Sequence, residues 1–211
     1  MEKNIHGFEP KQEFTMGGIA WTVIQTGKDW IKCIASKCIS LRAFDEEKKN
    51  NFSDSSIRRW LNSSFLQDMI RNGMPEEALI DFVIDLTADD GLTDYAFDRV
   101  KIGLITCEEY RKLRKNIPEV PGVRWWTATS DSVSPRNVCV KNVYLDGTLF
   151  HEDADFGGCG VRPVCMLKSE IMKKFFDKTE EKQKQRAEAV DMVKHIAAAW
   201  DIRPGEIFGR G

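Results

Sequence analysis

The side chains best suited to nucleophilic or metal chemistry in this 211-residue chain are six cysteines (Cys33, Cys38, Cys107, Cys139, Cys159, Cys165) and three histidines. A structural zinc centre needs four such ligands in closely spaced pairs. Cys33 and Cys38 enclose four residues and Cys159 and Cys165 enclose five, which are not zinc-ribbon spacings. Buried free thiols are therefore expected, with no cofactor. No Gly-x-Ser-x-Gly elbow, phosphate-binding loop, dinucleotide glycine fingerprint or His-Glu-x-x-His helix occurs, so the common enzyme signatures are absent. His151-Glu152-Asp153-Ala154-Asp155 collects oxygen donors but lacks the alternation and glycine of a calcium loop. It reads as a solvated acidic segment. The stretch with most to offer a ligand runs from Arg124 to Asn137. Adjacent tryptophans on a strand point to opposite faces, so of Trp125 and Trp126 one is expected in the core and the other at the surface. An exposed Trp126 rimmed by Thr129, Ser130, Asp131, Arg136 and Asn137 has the make-up of a hot spot for a protein or a sugar. The competing reading packs both rings and leaves the loop merely hydrophilic.

The elements that must hold these residues are legible in outline. Ile19 to Gln25 and Trp30 to Ala35 are apolar runs around Thr26-Gly27-Lys28-Asp29, the pattern of a β-hairpin, and Cys38 to Arg42 reads as a third strand. Ser53-Asp54-Ser55-Ser56 offers N-caps for a helix burying Ile57, Trp60, Leu61 and Phe65. Pro75-Glu76-Glu77 is expected to open a second helix through Ile80, and Val100 to Ile105 reads as a buried strand. Thr106-Cys107-Glu108-Glu109 is a capping box opening a helix toward Lys115. Val138 to Tyr144 and Thr148 to His151 flank Asp146-Gly147, a hairpin turn signal. Val161 to Leu167 reads as one strand interrupted by Pro163, which favours an edge or a bulge.

The chain divides by composition. From Asp177 to Arg186 there is no apolar residue, and Ala189, Val193, Ile196 and Trp200 then make a helical stripe ended by Pro204-Gly205. Residues 171–211 hold nine Lys+Arg against seven Asp+Glu, a net +2 within a chain total of −2, which leaves −4 for the body. The expected boundary lies near residue 176: a domain over 1–176, then a charged helical extension over 177–211. The overall charge excludes a polycation bound to nucleic acid by phosphate neutralisation along its whole length. The first residues lack an apolar signal segment and no stretch reaches the roughly 20 apolar residues of a membrane span, so a cytoplasmic protein is expected.

Five motifs occur in order: Gly18-Ile19-Ala20-Trp21, Ser55-Ser56-Ile57-Arg58-Arg59-Trp60-Leu61-Asn62, Ile105-Thr106-Cys107-Glu108-Glu109, Trp125-Trp126 and Gly160-Val161-Arg162-Pro163-Val164. Together, over about residues 7 to 168, they resemble an uncharacterised domain family of gut bacteria and their phages. The resemblance implies an α+β, C-type-lectin-like fold, related to sulfatase-modifying-factor domains and to the variable proteins of diversity-generating retroelements. It also implies ligand binding through loops of the C-terminal third. On the residues themselves, the motifs read as scaffold: Arg162 as a buried guanidinium tying the last strand to carbonyls or a carboxylate, and Asn62 as a partner for backbone groups at the helix end.

Three functions follow as expectations. The first is a non-enzymatic recognition domain of phage or prophage type that binds a protein or glycan through the Trp125–Asn137 loop and its neighbour, the Glu152–Gly158 loop. The second is a DNA-associated regulator, because Val193-Lys194-His195-Ile196-Ala197, Trp200-Asp201-Ile202 and Glu206-Ile207-Phe208-Gly209-Arg210 resemble the start of the DNA-binding domain of the bacterial replication initiator DnaA. A nucleic-acid partner would then engage residues 187–211, provided recognition helices follow; otherwise the tail is an amphipathic helix for the body or for another subunit. The third is a cysteine-dependent enzyme, because formylglycine-generating relatives use a cysteine pair where this chain has Cys159 and Cys165.

Overall fold

The computed structural model describes residues 4, 6–135 and 137–199. The chain is α+β. Strand β1 (Glu13–Met16) turns through Gly17 and Gly18 into β2 (Ile19–Thr26), which folds back on β3 (Trp30–Ala35), all antiparallel. Both glycines have positive φ, 63° and 75°, the backbone that a two-residue hairpin turn requires and that side chains resist. Trp21, Val23, Ile31, Cys33 and Ile34 from this hairpin are fully buried.

After β4 (Ser40–Leu41), Ser55 caps helix α1 (Ser56–Trp60), its hydroxyl accepting from the Arg58 N–H at 3.2 Å. A π-helical turn, Leu61–Phe65, joins α1 to α2 (Leu66–Arg71). Ile57, Leu61 and Phe65 are buried as their spacing predicts. Trp60 is only half-buried, with the Arg42 guanidinium 3.8 Å above its ring. Here the expectation of a core tryptophan is corrected by a cation stacked on the outer face.

Residues 75–80 are not a helix. Glu76–Ala78 forms a single 3-10 turn and Leu79–Ile80 is strand β5, paired with a later strand. Local acidic residues offered a helix start, but pairing with that strand claims the apolar pair that follows. The short ladder of β6 (Phe82–Asp85) and β7 (Phe97–Val100) stands apart from the two larger sheets, and β8 (Ile102–Gly103) follows. Helix α3 (Cys107–Leu113) begins with the expected capping box, Thr106 and Glu109 each accepting from the other's backbone. Glu109 also pairs with the buried ammonium of Lys32 on β3. The C-terminal third supplies β9 (Trp125–Ser130), β10 (Cys139–Val143), β11 (Leu149–Asp153), β12 (Gly160–Val161) and β13 (Val164–Lys168), followed by α4 (Ser169–Ala199).

These strands form a six-stranded sheet, ordered β1-β2-β3-β13-β5 with β8 also on β13, and a five-stranded sheet ordered β11-β10-β9-β12-β4. The segment expected as one interrupted strand is thus two strands in two sheets, and Arg162-Pro163 is the joint between them. Pro163 is tolerated because the joint asks only for its carbonyl, which accepts from the Ala35 N–H at 2.9 Å. Arg162, 1% exposed, donates to the carbonyls of Ala35 (3.0 Å), Pro118 (3.1 Å) and Ser36 (3.4 Å). The scaffold role expected of it is what these bonds describe. Asn62 likewise satisfies backbone, donating to the Arg58 carbonyl of its own helix at 3.1 Å and also serving the chain at 101–102. It donates to the Ile102 carbonyl and accepts from the Lys101 and Ile102 amides.

Contacts divide the chain into two units, Met1–Glu170 and Ile171–Gly211. The polar stretch 177–186 is helical throughout, inside α4, so the helix starts before the change in composition at 177. Trp200 and the DnaA-like residues beyond it lie outside the described residues, as do Pro204 and Gly205. Among the described residues no helix is long and apolar enough to cross a membrane.

Replacing Arg162 with Met removes all three donors while keeping much of the bulk. Orphaned carbonyls at the joint should lower the unfolding free energy by about 2–4 kcal/mol in urea titrations. Arg162→Lys should recover only part of that, since one ammonium cannot span three divergent carbonyls.

Candidate functional site

The capping box fixes where α3 starts, and seven residues later the chain tightens into a 3-10 turn, Arg114–Asn116. That places Tyr110, Arg114 and Lys115 opposite the β10–β11 hairpin. The hairpin turn is the one expected at Asp146-Gly147: Tyr144 N–H donates to the Thr148 carbonyl (2.8 Å), Gly147 N–H to the Tyr144 carbonyl (2.9 Å). Asp146 accepts from both the amide and the hydroxyl of Thr148, which holds its carboxyl below the usual range. Gly147 has φ +78°, and a Cβ there would come within 2.7 Å of Arg114 Nη2. The Tyr110 hydroxyl donates to the Gly147 carbonyl at 2.9 Å and locks helix to hairpin.

Between them lies a cleft of about 570 Å³, lined by Tyr110, Arg114, Pro118, Trp125, Tyr144 and Arg162 among others. Such a volume is ordinary for a small-ligand site. At its base the Arg162 guanidinium sits 4.7 Å from the centre of the Trp125 ring, and Tyr110 meets that ring edge-on at 5.7 Å. Burial draws the Arg162 pKa down to about 10 and pushes the Tyr110 hydroxyl up, because both charged forms lose water there. Arg114 and Lys115 on the rim are exposed. Arg111 is paired with Asp89 at 2.8 Å.

The residues expected to bind from the 125–137 segment fare differently. Trp125 and Trp126 do face opposite ways, yet both are buried, at 3% and 0% exposure. Trp126 packs edge-on against Phe44 and donates to the Arg42 carbonyl at 2.9 Å. Strand β9 is covered on both faces, and that is why the expected surface tryptophan does not exist. Thr129 and Ser130 are also interior: Thr129 accepts from the Cys107 amide at 3.0 Å, and the Ser130 carbonyl from the Asp89 amide. These three are corrected from ligand contacts to core.

Asp131 and Asn137 are half-buried and bonded to each other at 2.8 Å, with Lys141 also on Asp131. Asn50 donates to the carbonyls of Ser132, Asn137 and Cys139, so this segment is held from beneath. Arg136 lies outside the described residues. The cleft residues Tyr110, Arg114 and Tyr144 did not stand out in sequence. The usable signals were the basic pair Arg114-Lys115 just after α3 and the Asp-Gly turn opposite, but nothing local says that the two meet.

In the acidic segment Glu152 pairs with Arg124, while Asp153 and Asp155 share Lys48. Among the described residues no cluster of three His, Cys, Asp or Glu side chains is placed to hold a metal. The thiols all hold their protons tightly. Burial pushes Cys159 up to about 12 and Cys139 up to about 11, the latter helped by Asp153, and raises Cys33, Cys38, Cys107 and Cys165 as well. A nucleophilic cysteine needs the opposite shift.

No family model, curated protein or solved structure matches this chain.

Native alkylation by iodoacetamide at pH 7 should leave Cys159 and Cys165 unlabelled under conditions that label the urea-unfolded chain completely. The same shifts set a pH dependence. Unfolded thiols release protons near 9, folded ones only higher, so the thiols' contribution to stability is fully present below pH 9 and is lost as pH rises from 9 toward 12. Urea midpoints at pH 7.5, 9 and 10.5 will show it.

Proposed function

We propose that the body is a non-enzymatic recognition domain that takes a protein or glycan ligand into the cleft between α3 and the β10–β11 hairpin. The observation that carries this reading is the cleft itself: a defined hollow with aromatic and proline walls, two exposed cations at its rim and a buried guanidinium at its base. Sites of this kind combine apolar surface with a few fixed polar groups. The upward-shifted thiols support binding over cysteine chemistry. Resemblance to C-type-lectin-like domains, which bind through loops of their C-terminal third, supports the placement, since the hairpin turn belongs to that third. The α+β architecture with two main sheets is compatible with such a fold.

The reading relocates the ligand from the 125–137 segment to the neighbouring cleft. Tyr144 is half-buried and Leu145 is 46% exposed at its mouth, so both are open to change without loss of core. Wild-type protein should be screened on a glycan array and on a panel of purified bacterial surface proteins, then compared with Tyr144→Ala and Leu145→Glu. Binding should fall about ten-fold or more in both variants, with unfolding midpoints close to wild type. Variants that bind like wild type, while Asp131→Ala or Asn137→Ala loses the ligand, would return the site to the 131–137 segment.

A further inference from the structure

Resting on the reading of the cleft as a recognition site, we infer that its ligand is a sugar bearing one oxyanion, seated with that group against Arg162 and between Arg114 and Lys115. A guanidinium has five N–H donors. Arg162 commits three of them, one from each nitrogen, to the carbonyls of Ala35, Pro118 and Ser36. Two donors remain on a side chain that is 1% exposed and lines the cleft. Among the described residues no carboxylate forms an ion pair with Arg162, Arg114 or Lys115. A charge taken out of water is costly unless it is paired, and three carbonyl dipoles with a tryptophan face compensate it only in part. The lowered affinity of Arg162 for its proton has the same origin.

An oxyanion at the base of the cleft would take up the two N–H groups of Arg162, one on Nη1 and one on Nη2, that no carbonyl uses, and would have two exposed cations at the rim; hydrogen bonds from a charged guanidinium to an oxyanion are among the stronger ones. The rest of the lining decides the remainder of the ligand. Glu119 and Asp146 also line the cleft and are exposed. Beside them a second anion would be repelled, whereas hydroxyl groups would find acceptors. Tyr144, Leu145, Pro118 and Pro121 supply apolar faces at the scale of one ring. One negative group, several hydroxyls and a hydrophobic ring face describe a uronic acid or a sugar phosphate. An acidic peptide segment, carrying amides and repeated charges, suits these walls less well.

The probes are sodium glucuronate, glucose 6-phosphate, glucose and N-acetylglutamate, each titrated at matched ionic strength. Two-dimensional NMR follows the amides of Arg114 and Gly147, and calorimetry follows the heat. Glucuronate or glucose 6-phosphate should shift both amides saturably, and whichever is tighter names the oxyanion. Glucose should bind at least about ten-fold more weakly, and the double variant Arg114→Gln, Lys115→Gln should weaken the charged sugar by about ten-fold or more. An unchanged unfolding midpoint in that variant places the loss at the ligand. Glucose binding as well as glucuronate would overturn the oxyanion while leaving cleft recognition intact. N-acetylglutamate outbinding both charged sugars would overturn the sugar. Silence in every arm would overturn this inference alone if Tyr144→Ala still loses an array or panel partner, and both readings if it does not.

Discussion

The fold depends on how Arg162 closes the joint between the two main sheets. Within two residues the chain leaves the five-stranded sheet as β12 and enters the six-stranded sheet as β13. No ladder can continue through such a crossing, and the carbonyls of Ala35, Ser36 and Pro118 would face one another without donors. A single planar guanidinium supplies all three. Because Ala35 and Ser36 end the N-terminal hairpin, Pro118 follows α3 and Arg162 ends the second sheet, one side chain registers three parts of the chain. Lysine offers the charge but not the divergent fork. The charge this leaves beneath the cleft is a consequence of the architectural role, so scaffold and site share the residue.

The same device recurs on a smaller scale. Four strands, β4, β5, β8 and β12, are two residues long, too short to satisfy their own ends by pairing. Buried backbone polar groups must still find partners, and amide side chains provide them. Asn62 serves β8 from the helical turn, Asn50 serves three carbonyls around the 131–139 segment, and Asn116 reaches the Ile24 carbonyl at 2.9 Å. Asp45, fully buried, accepts from the amides of Glu47, Lys49 and Ser56. Long loops are thereby held to short strands by side chains rather than by regular ladders. That distributes specificity over residues which composition counts only as hydrophilic.

The cleft inherits its rigidity from this arrangement. Its helical wall begins at a capping box whose glutamate is also bound to the buried Lys32. Its hairpin wall hangs on the Tyr110 hydroxyl, and its base is the Arg162–Trp125 stack. Each contact orders a group that would otherwise cost entropy to fix on binding a ligand. The two rim cations, Arg114 and Lys115, are by contrast exposed.

Features set by neighbours in the chain were determined by the sequence alone: the 19–35 hairpin, an N-cap within Ser53–Ser56, the Thr106–Glu109 box and the Asp146-Gly147 turn. Each rests on propensities and hydrogen bonds spanning a few residues, which a linear pattern records. Arg162 and Asn62 were also legible as scaffold, because a buried arginine beside proline and an asparagine ending a helix have few other uses. The second face of β9, the strand over 79–80 and the crossing at Pro163 were decided only by the tertiary structure. So was the meeting of α3 with the β10–β11 hairpin. Two adjacent tryptophans announce opposite faces, but whether either meets water depends on what distant segments lay over them, here Phe44 and Tyr110. The contact that sets the joint links residues 127 apart, and no local pattern records a partner at that separation.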